Sequence, residues 1–493
     1  MDSRNPTGNI DFKAIFSESF SGLPPEEIIK DVNPWKRAMS RVLAGMALCT
    51  ITLNFFWLNY LLPAIGMVLC LLGLRALRRE NRWFTACFVL VLLRCVYFFP
   101  DMIRNTFIFR EDMLPAGIEA ALTNVALAVQ LAELFCLWRG LRALQRKAGL
   151  PPRAGSVLAL MLWYGAVYAL ALLQGDAQDV GLLLPLTMVV FYILILGSIY
   201  KTAKGLTEAG YAIRPAPVRV SDGCLALLLA GVLVLGCAAG YLFGGRYPMD
   251  WQPAEPAGQE ETAELKSQLL ALGFPDYVLE DLTAEDLAAC AGATRVDVRT
   301  SLHRPDSRRA MNRQPDRTPA LRLTGIAVQV SGEAARWVVI HHFLWVEDPG
   351  FSGTDSVQLW PAYQLPSAGW SADGPVTGRV LCDRNGQTYT APYYFLGEKT
   401  YPDRSFSRDQ ERTDVFAGFS LPRWAENGRG YLAYAAGAPG EDYLLNSWLS
   451  YTHQYTWLQY PVSTALTERM AAPGSNFLGP FTTVQDALQF VPG

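Results

Sequence analysis

The chain has 493 residues, of which 51% are hydrophobic and 18% charged, against ~25% charged in an ordinary soluble domain. Its 42 Lys/Arg and 45 Asp/Glu leave a net charge of −3, which excludes a strongly basic nucleic-acid binder and a charge-rich disordered chain. At ~150 residues per domain the length suggests about three units.

The apolar residues lie in long runs, all before Gly245. Residues 1–245 hold 22 basic and 16 acidic residues, a net of +6; residues 246–493 hold 20 and 29, a net of −9. Two different solvents have shaped the two halves. Residues 1–38 begin with a polar stretch carrying Asp2, Asp11, Glu18, Glu26, Glu27 and Asp31. They read as a short cytoplasmic lead, lying on the membrane surface or disordered, rather than as a signal peptide.

Residues 39–245 supply seven candidate spans, at 40–58, 60–77, 83–100, 114–138, 154–173, 180–200 and 223–245. Val42 to Leu74 is one continuous apolar stretch of 33 residues. As a single helix it would be ~50 Å long, well beyond a ~30 Å apolar layer. Lys36, Arg37 and Arg41 precede it, and Arg75, Arg78, Arg79 and Arg82 follow it. Positive clusters favour the cytoplasmic side, so two of them on one side require an even number of crossings. The stretch is therefore expected to be a tight hairpin, with Asn59 near its tip and Pro63 opening the return helix. Further along, basic loops (Arg139 to Arg153; Lys201 to Arg219) alternate with an acid-leaning loop (Asp101 to Asp112) and an acidic one (Gln174 to Asp179). The pattern predicts a cytoplasmic N-terminus and an extracytoplasmic C-terminal half.

The fourth span carries Glu119, Thr123, Gln130 and Glu133. At ~100° per residue these fall within about 80° of one another, a single polar seam. Arg94 in the third span sits at a depth expected to match Glu119. The seam reads as a path for an ion or small solute, or as a charge clamp inside the bundle. In the seventh span Gly236, Gly240 and Gly244 share one face, suited to close packing against other spans or to homodimerisation. Seven of the nine cysteines lie in spans; Cys290 and Cys382 lie beyond them and could form one disulfide. No spacing of Cys, His or carboxylates suggests a metal site. No motif calls for a cofactor.

A polar linker (246–261) leads into a short helical stalk or cap (262–293). Gly273 is placed to end one helix, and Thr283 with Asp286 forms a capping-box-like start for another. The tetrad Leu272-Gly273-Phe274-Pro275 resembles both the loop of ubiquitin-associated domains and the tetrad of actinobacterial wall-binding repeats, although it occurs once. Residues 294–493 show seven strand-like runs punctuated by turn residues, at 320–331, 336–347, 356–360, 378–382, 387–396, 413–420 and 429–436. They predict a mainly-β extracytoplasmic domain, β-sandwich or jelly-roll-like. His341 and His342 are adjacent on one strand, so their side chains should point to opposite faces.

Two features of this domain suggest binding. Trp360, Tyr363 and Trp370, read as loop aromatics, are candidates to stack on sugar rings or anchor a protein. Arg304, Arg308, Arg309, Arg313 and Arg317 crowd one loop and would attract an anionic polymer or lipid head group. No nucleophile or carboxylate pair can be nominated as catalytic, so the chain is not expected to be an enzyme.

The segments Asn33-Pro34-Trp35-Lys36-Arg37, Leu58-Asn59-Tyr60-Leu61-Leu62-Pro63-Ala64-Ile65-Gly66 and Leu74-Arg75-Ala76-Leu77-Arg78-Arg79-Glu80-Asn81-Arg82 resemble the start of uncharacterised multi-pass membrane proteins of Gram-positive anaerobes. That resemblance implies a bacterial plasma-membrane location and carries over no activity. The leading expectation is a membrane protein displaying an extracytoplasmic domain that binds a wall glycan, an anionic polymer or a partner protein. The alternatives are a transporter or channel subunit working through the polar seam, and a membrane-tethered hydrolase.

Overall fold

The structure is a computed structural model that describes residues 34–490, apart from 52–56, 111, 175–182, 212, 214–215, 255–261, 305–319, 332–335, 361–370, 404–409, 438–444 and 472–478. The chain forms two compact units. One comprises Met1–Ile103 and Asp112–Gly236, the other Arg104–Glu111 and Cys237–Gly493.

The first unit is helical: α1 (Pro34–Thr50), α2 (Leu58–Leu77), α3 (Arg82–Arg104), α4 (Ala116–Lys147), α5 (Gly155–Gln174), α6 (Leu183–Glu208) and α7 (Asp222–Phe243), whose last turns belong to the second unit. Among the described residues six helices, α2 to α7, are long and apolar enough to cross a membrane. The remaining apolar helix, α1, has 17 residues.

Helices α1 and α2 form the hairpin that the flanking charges predict, although the chain turns before Asn59 and Pro63 lies inside α2. Glycines let the two backbones approach closely. A Cβ on Gly45 would lie 2.6 Å from the Gly66 carbonyl oxygen, and one on Gly73 would lie 2.7 Å from that of Ala38. Small residues at such a seam maximise dispersion contact where lipid removes the hydrophobic drive. Gly66→Val is expected to destabilise the protein by about 1–3 kcal/mol, the usual range for overpacking, read as a lower unfolding temperature in detergent.

Four basic segments meet at one end of this unit. Arg41 pairs with Asp222 at 2.6 Å, and Arg75 lies 3.7 Å from the same carboxylate. Arg78 donates to the Pro217 carbonyl (2.6 Å), and Lys147 to that of Glu80 (3.3 Å). The start of α1, the end of α2, the end of α4 and the start of α7 thus share a side, as the charge alternation requires.

Among the described residues of the second unit, twelve strands form two antiparallel sheets. In chain order they are β1 (Gln252–Pro253), β2 (Ala293–His303), β3 (Leu321–Val330), β4 (Arg336–Trp345), β5 (Asp355–Trp360), β6 (Ser371–Arg384), β7 (Gln387–Ala391), β8 (Phe395–Asp403), β9 (Gln410–Phe419), β10 (Glu426–Gly437), β11 (Leu445–Gln454) and β12 (Phe481–Phe490). The seven-stranded sheet runs β1-β7-β6-β10-β4-β3-β2, and the five-stranded sheet β12-β11-β5-β9-β8. Alternate residues of both sheets, among them Leu323, Trp337, Phe343, Leu359, Phe419 and Tyr451, fill one shared core, the mark of a sandwich.

The opposite face of the seven-stranded sheet is also covered. Helices α8 (Ala263–Ala271), α9 (Asp276–Leu279) and α10 (Ala284–Ala288) pack Leu269, Phe274, Val278 and Leu287 onto Ile326, Val338 and Ile340. Gly273, with φ of +91°, ends α8, and the Phe274 amide donates to the Leu269 carbonyl at 3.0 Å, a Schellman closure. Thr283 caps α10 by accepting from the Asp286 amide at 3.1 Å. A buried polar network joins the cap to the sheet. Arg429 Nε donates to both oxygens of Asp281 (2.8 and 3.0 Å), and His342 Nε2 lies 2.8 Å from Asp281 Oδ2. Arg429 Nη1 also donates to Asp383 at 2.9 Å. Burial weakens the Arg429 charge, but the two carboxylates outweigh it and raise its pKa.

The two histidines do face opposite ways. His341 points into the sandwich core, 2.7 Å from Ser447 Oγ on β11. Burial pushes its pKa down to about 4, with Asp486 offsetting part of the effect. It is therefore neutral in the fold, while in the unfolded chain it titrates near ~6.5. The unfolded state binds more protons between these values, so stability falls as pH drops from ~6.5 to about 4. At ~1.4 kcal/mol per pKa unit the loss from this group is at most ~3.5 kcal/mol. His341→Gln should flatten that part of the acid unfolding profile.

Cys290 packs under the cap, whereas Cys382 lies in the sandwich core. Both are free thiols on opposite faces of the same sheet, so they do not form the single disulfide that their count allowed.

Candidate functional site

A cleft opens at one end of the sandwich, where β4 turns into β5 and β9 turns into β10. It outlines about 360 Å³ of space, part of it open solvent, and its walls include Trp345, Asp348, Ser352, Leu421, Asn427 and Gly428. Turn chemistry shapes both walls. Asp348 Oδ1 accepts from the Gly350 amide at 2.8 Å, with Gly350 at φ +77°, which closes an Asx turn. Across the cleft Asn427 adopts φ +47°, and a Cβ on Gly428 would lie 2.4 Å from Leu421 Cδ1.

Arg246, three residues past the end of α7, bridges the two walls. Its Nε donates to the Ser352 carbonyl and its Nη2 to the Leu421 carbonyl, each at 2.7 Å. Burial, aided by Arg423, lowers its pKa to about 10, so it stays cationic at neutral pH. The next residue repeats the tie: the Tyr247 amide donates to Ser420 Oγ at 3.0 Å, and the Tyr247 ring stacks on Tyr394 at 4.5 Å. The spacing of the two cleft loops is therefore fixed by the segment that leaves α7.

A second polar site lies inside the helical unit. Arg94 of α3 pairs with Glu133 of α4 at 2.6 Å. Beside them is a narrow recess, with room for about one water, lined by Met46, Cys49, Cys70, Gln130, Leu134 and Tyr164. Tyr164 and Thr50 hydroxyls meet at 2.6 Å nearby. The pairing corrects the expectation of an Arg94–Glu119 clamp. Helix α3 continues to Arg104, so Arg94 sits deeper than a span ending at residue 100 would put it. Glu133 lies on the same stripe of α4, about four turns further in. Of the seam, Gln130 joins Glu133 at the recess, while Glu119 and Thr123 lie on exposed positions nearer the helix start.

Of the sequence-derived ligand residues, Trp360 and Arg304 are among the described ones. Trp360 is no loop residue: it ends β5, is 7% exposed, and meets Trp448 edge-on at 6.4 Å. Tyr363 and Trp370 lie outside the described residues, as do Arg308, Arg309, Arg313 and Arg317. Arg304 lies 3.8 Å from Glu347. The glycine face of α7 packs within the chain: side chains at Gly236, Gly240 and Gly244 would collide with Ile103, Thr106 and Phe107 respectively. Among the described residues no group of His, Cys, Asp and Glu could hold a metal ion.

The cleft escaped the sequence reading because its walls are turns. Asp348-Pro349-Gly350 and Leu421-Pro422 are readable as turns, but only the pairing of β5 with β9 brings them side by side.

No protein-family model matches the chain, and no curated protein matches it. Among solved structures, the KRT10-binding region domain of the pneumococcal serine rich repeat protein PsrP is similar at 9% identity and a TM-score of 0.20, covering 32% of this chain and 87% of that one. A likeness of that size carries no argument about fold detail or ligand. The chain therefore stands as a protein with membrane-type apolar helices followed by an antiparallel β domain.

Proposed function

We propose that this protein uses seven helices to cross a bacterial plasma membrane and presents the sandwich on the extracytoplasmic side as a binding or sensing module. The end cleft is its ligand site, and a wall glycan is the proposed ligand. The observation that supports this reading is Arg246, whose guanidinium joins the two cleft walls. A ligand that spreads or closes those walls acts on a residue directly continuous with α7. The walls offer a carboxylate (Asp348) and an amide (Asn427), polar groups suited to a hydroxylated ligand, while the Trp345 indole backs them from the core.

Full-length protein in nanodiscs, incubated with purified Gram-positive sacculi, tests the reading. Retention should fall at least tenfold when Ala425→Trp fills the cleft. Equal retention of the two forms, or none by either, contradicts it. A second reading, solute passage through the helical unit, is favoured by the Arg94–Glu133 ion pair held within apolar helices. Solute uptake into proteoliposomes that Arg94→Met abolishes would support it.

A further inference from the structure

The turn at residues 456–461, between β11 and α11 (Ala465–Ala471), exposes two large apolar side chains side by side. Trp457 is 57% exposed and Leu458 52%. Contiguous exposed apolar surface marks a place where a partner or a membrane makes contact.

The turn is firmly held rather than loose. The Gln459 amide donates to the Trp457 carbonyl at 2.8 Å, and the Ser463 amide to Gln459 Oε1 at 3.2 Å. Two ties fasten it to the ends of apolar helices. The Tyr241 hydroxyl donates to the Gln459 carbonyl, and the Tyr241 ring meets that of Trp457 edge-on at 5.7 Å. The Val462 amide donates to the carbonyl of Asn105, the residue after α3 ends. Tyr241 is in the last turn of α7, whose neighbouring Phe243 is 85% exposed and Leu242 56%. The apolar surface of the turn thus continues the apolar surface of α7 at the level where that helix ends.

Tyr and Trp are the side chains that settle where hydrocarbon gives way to head groups, since each joins an apolar ring to a polar tip. A bilayer reaching the end of α7 reaches Trp457 as well. We propose that Trp457 and Leu458 insert into the membrane interface, so that the β domain has a lipid contact of its own in addition to its covalent link through α7. The occupant of the patch is the glycerol and upper acyl region of the bilayer.

The test uses full-length protein in phosphatidylglycerol/phosphatidylcholine nanodiscs, with Cys224 replaced by serine. A nitrobenzoxadiazole probe is attached at Leu458→Cys, or at Ser267→Cys on the exposed surface of α8, and the signal of the unmodified background is subtracted. Lipids carrying a nitroxide high on the acyl chain should quench the probe at 458 at least threefold more than the probe at 267, with a blue-shifted emission at 458. Equal quenching at the two positions, with water-like emission at 458, would overturn the proposal. Neither outcome depends on whether the cleft binds a ligand.

Discussion

Asp281→Ala is expected to lower the stability of the second unit by about 3–5 kcal/mol, the range seen when one partner of a buried ion pair is removed. Asp281 is 2% exposed and receives both Arg429 and His342. Removing it leaves a guanidinium with one remaining carboxylate, Asp383, and a histidine ring at 0% exposure facing an empty volume. The cap would lose more than a contact. Arg379 holds the backbone carbonyls of Asp281 and Leu282 at 3.0 and 3.3 Å, and those bonds rely on the same short segment keeping its place. Asp281→Asn keeps the shape and one acceptor, so it should cost roughly half as much. Thermal unfolding in detergent, followed by near-ultraviolet dichroism, provides the comparison. A loss below ~1 kcal/mol for Asp281→Ala would show that the cap does not depend on this network.

Glu133→Ala should be comparably severe for a different reason. The pair with Arg94 lies within two helices of a length and hydropathy suited to the bilayer. Removing the acid leaves a cation in an apolar layer, costing ~3 kcal/mol even on permissive insertion scales. The sulfhydryl of Cys87 also donates to the Glu133 backbone carbonyl at 3.4 Å, so any shift of α4 loosens a second link to α3. Arg94→Met together with Glu133→Leu should recover most of the loss, since well-packed apolar replacements of a buried pair are often neutral. Melting temperatures of the two variants in one detergent decide it. A double variant no more stable than Glu133→Ala alone would mean that the pair acts through something other than mutual neutralisation.

These cases show which layers of the fold could be read in advance. The α1–α2 hairpin was legible because charges at both ends of one apolar run bear on topology directly. The polar stripe of α4 was legible as a face, because angular position follows from spacing alone. Its depth was not, because Glu119 and Glu133 share the stripe and only the true length of α3 selects between them. The succession of short strand-like runs punctuated by turn residues announced a mainly-β domain. Strand β11 escaped notice because its inward positions include Ser447, whose hydroxyl serves His341 and Tyr434 inside the core. A polar residue at an inward position hides the period-two signal. Trp360 was misplaced for a related reason. The Trp-Pro step reads as the start of a loop, yet the residue completes β5 and pairs with Trp448 on β11.

The orientation of the second unit is the claim on which the functional reading rests, and thiol labelling in intact cells tests it most directly. Cys224, at the start of α7, is exposed and provides a native reporter for the side proposed as cytoplasmic. Ser267→Cys adds a reporter on α8. With a membrane-impermeant maleimide, the thiol introduced at 267 should react in intact cells while Cys224 reacts only after lysis. Labelling of Cys224 in intact cells, with the thiol at 267 protected until lysis, would place the sandwich inside and contradict the account.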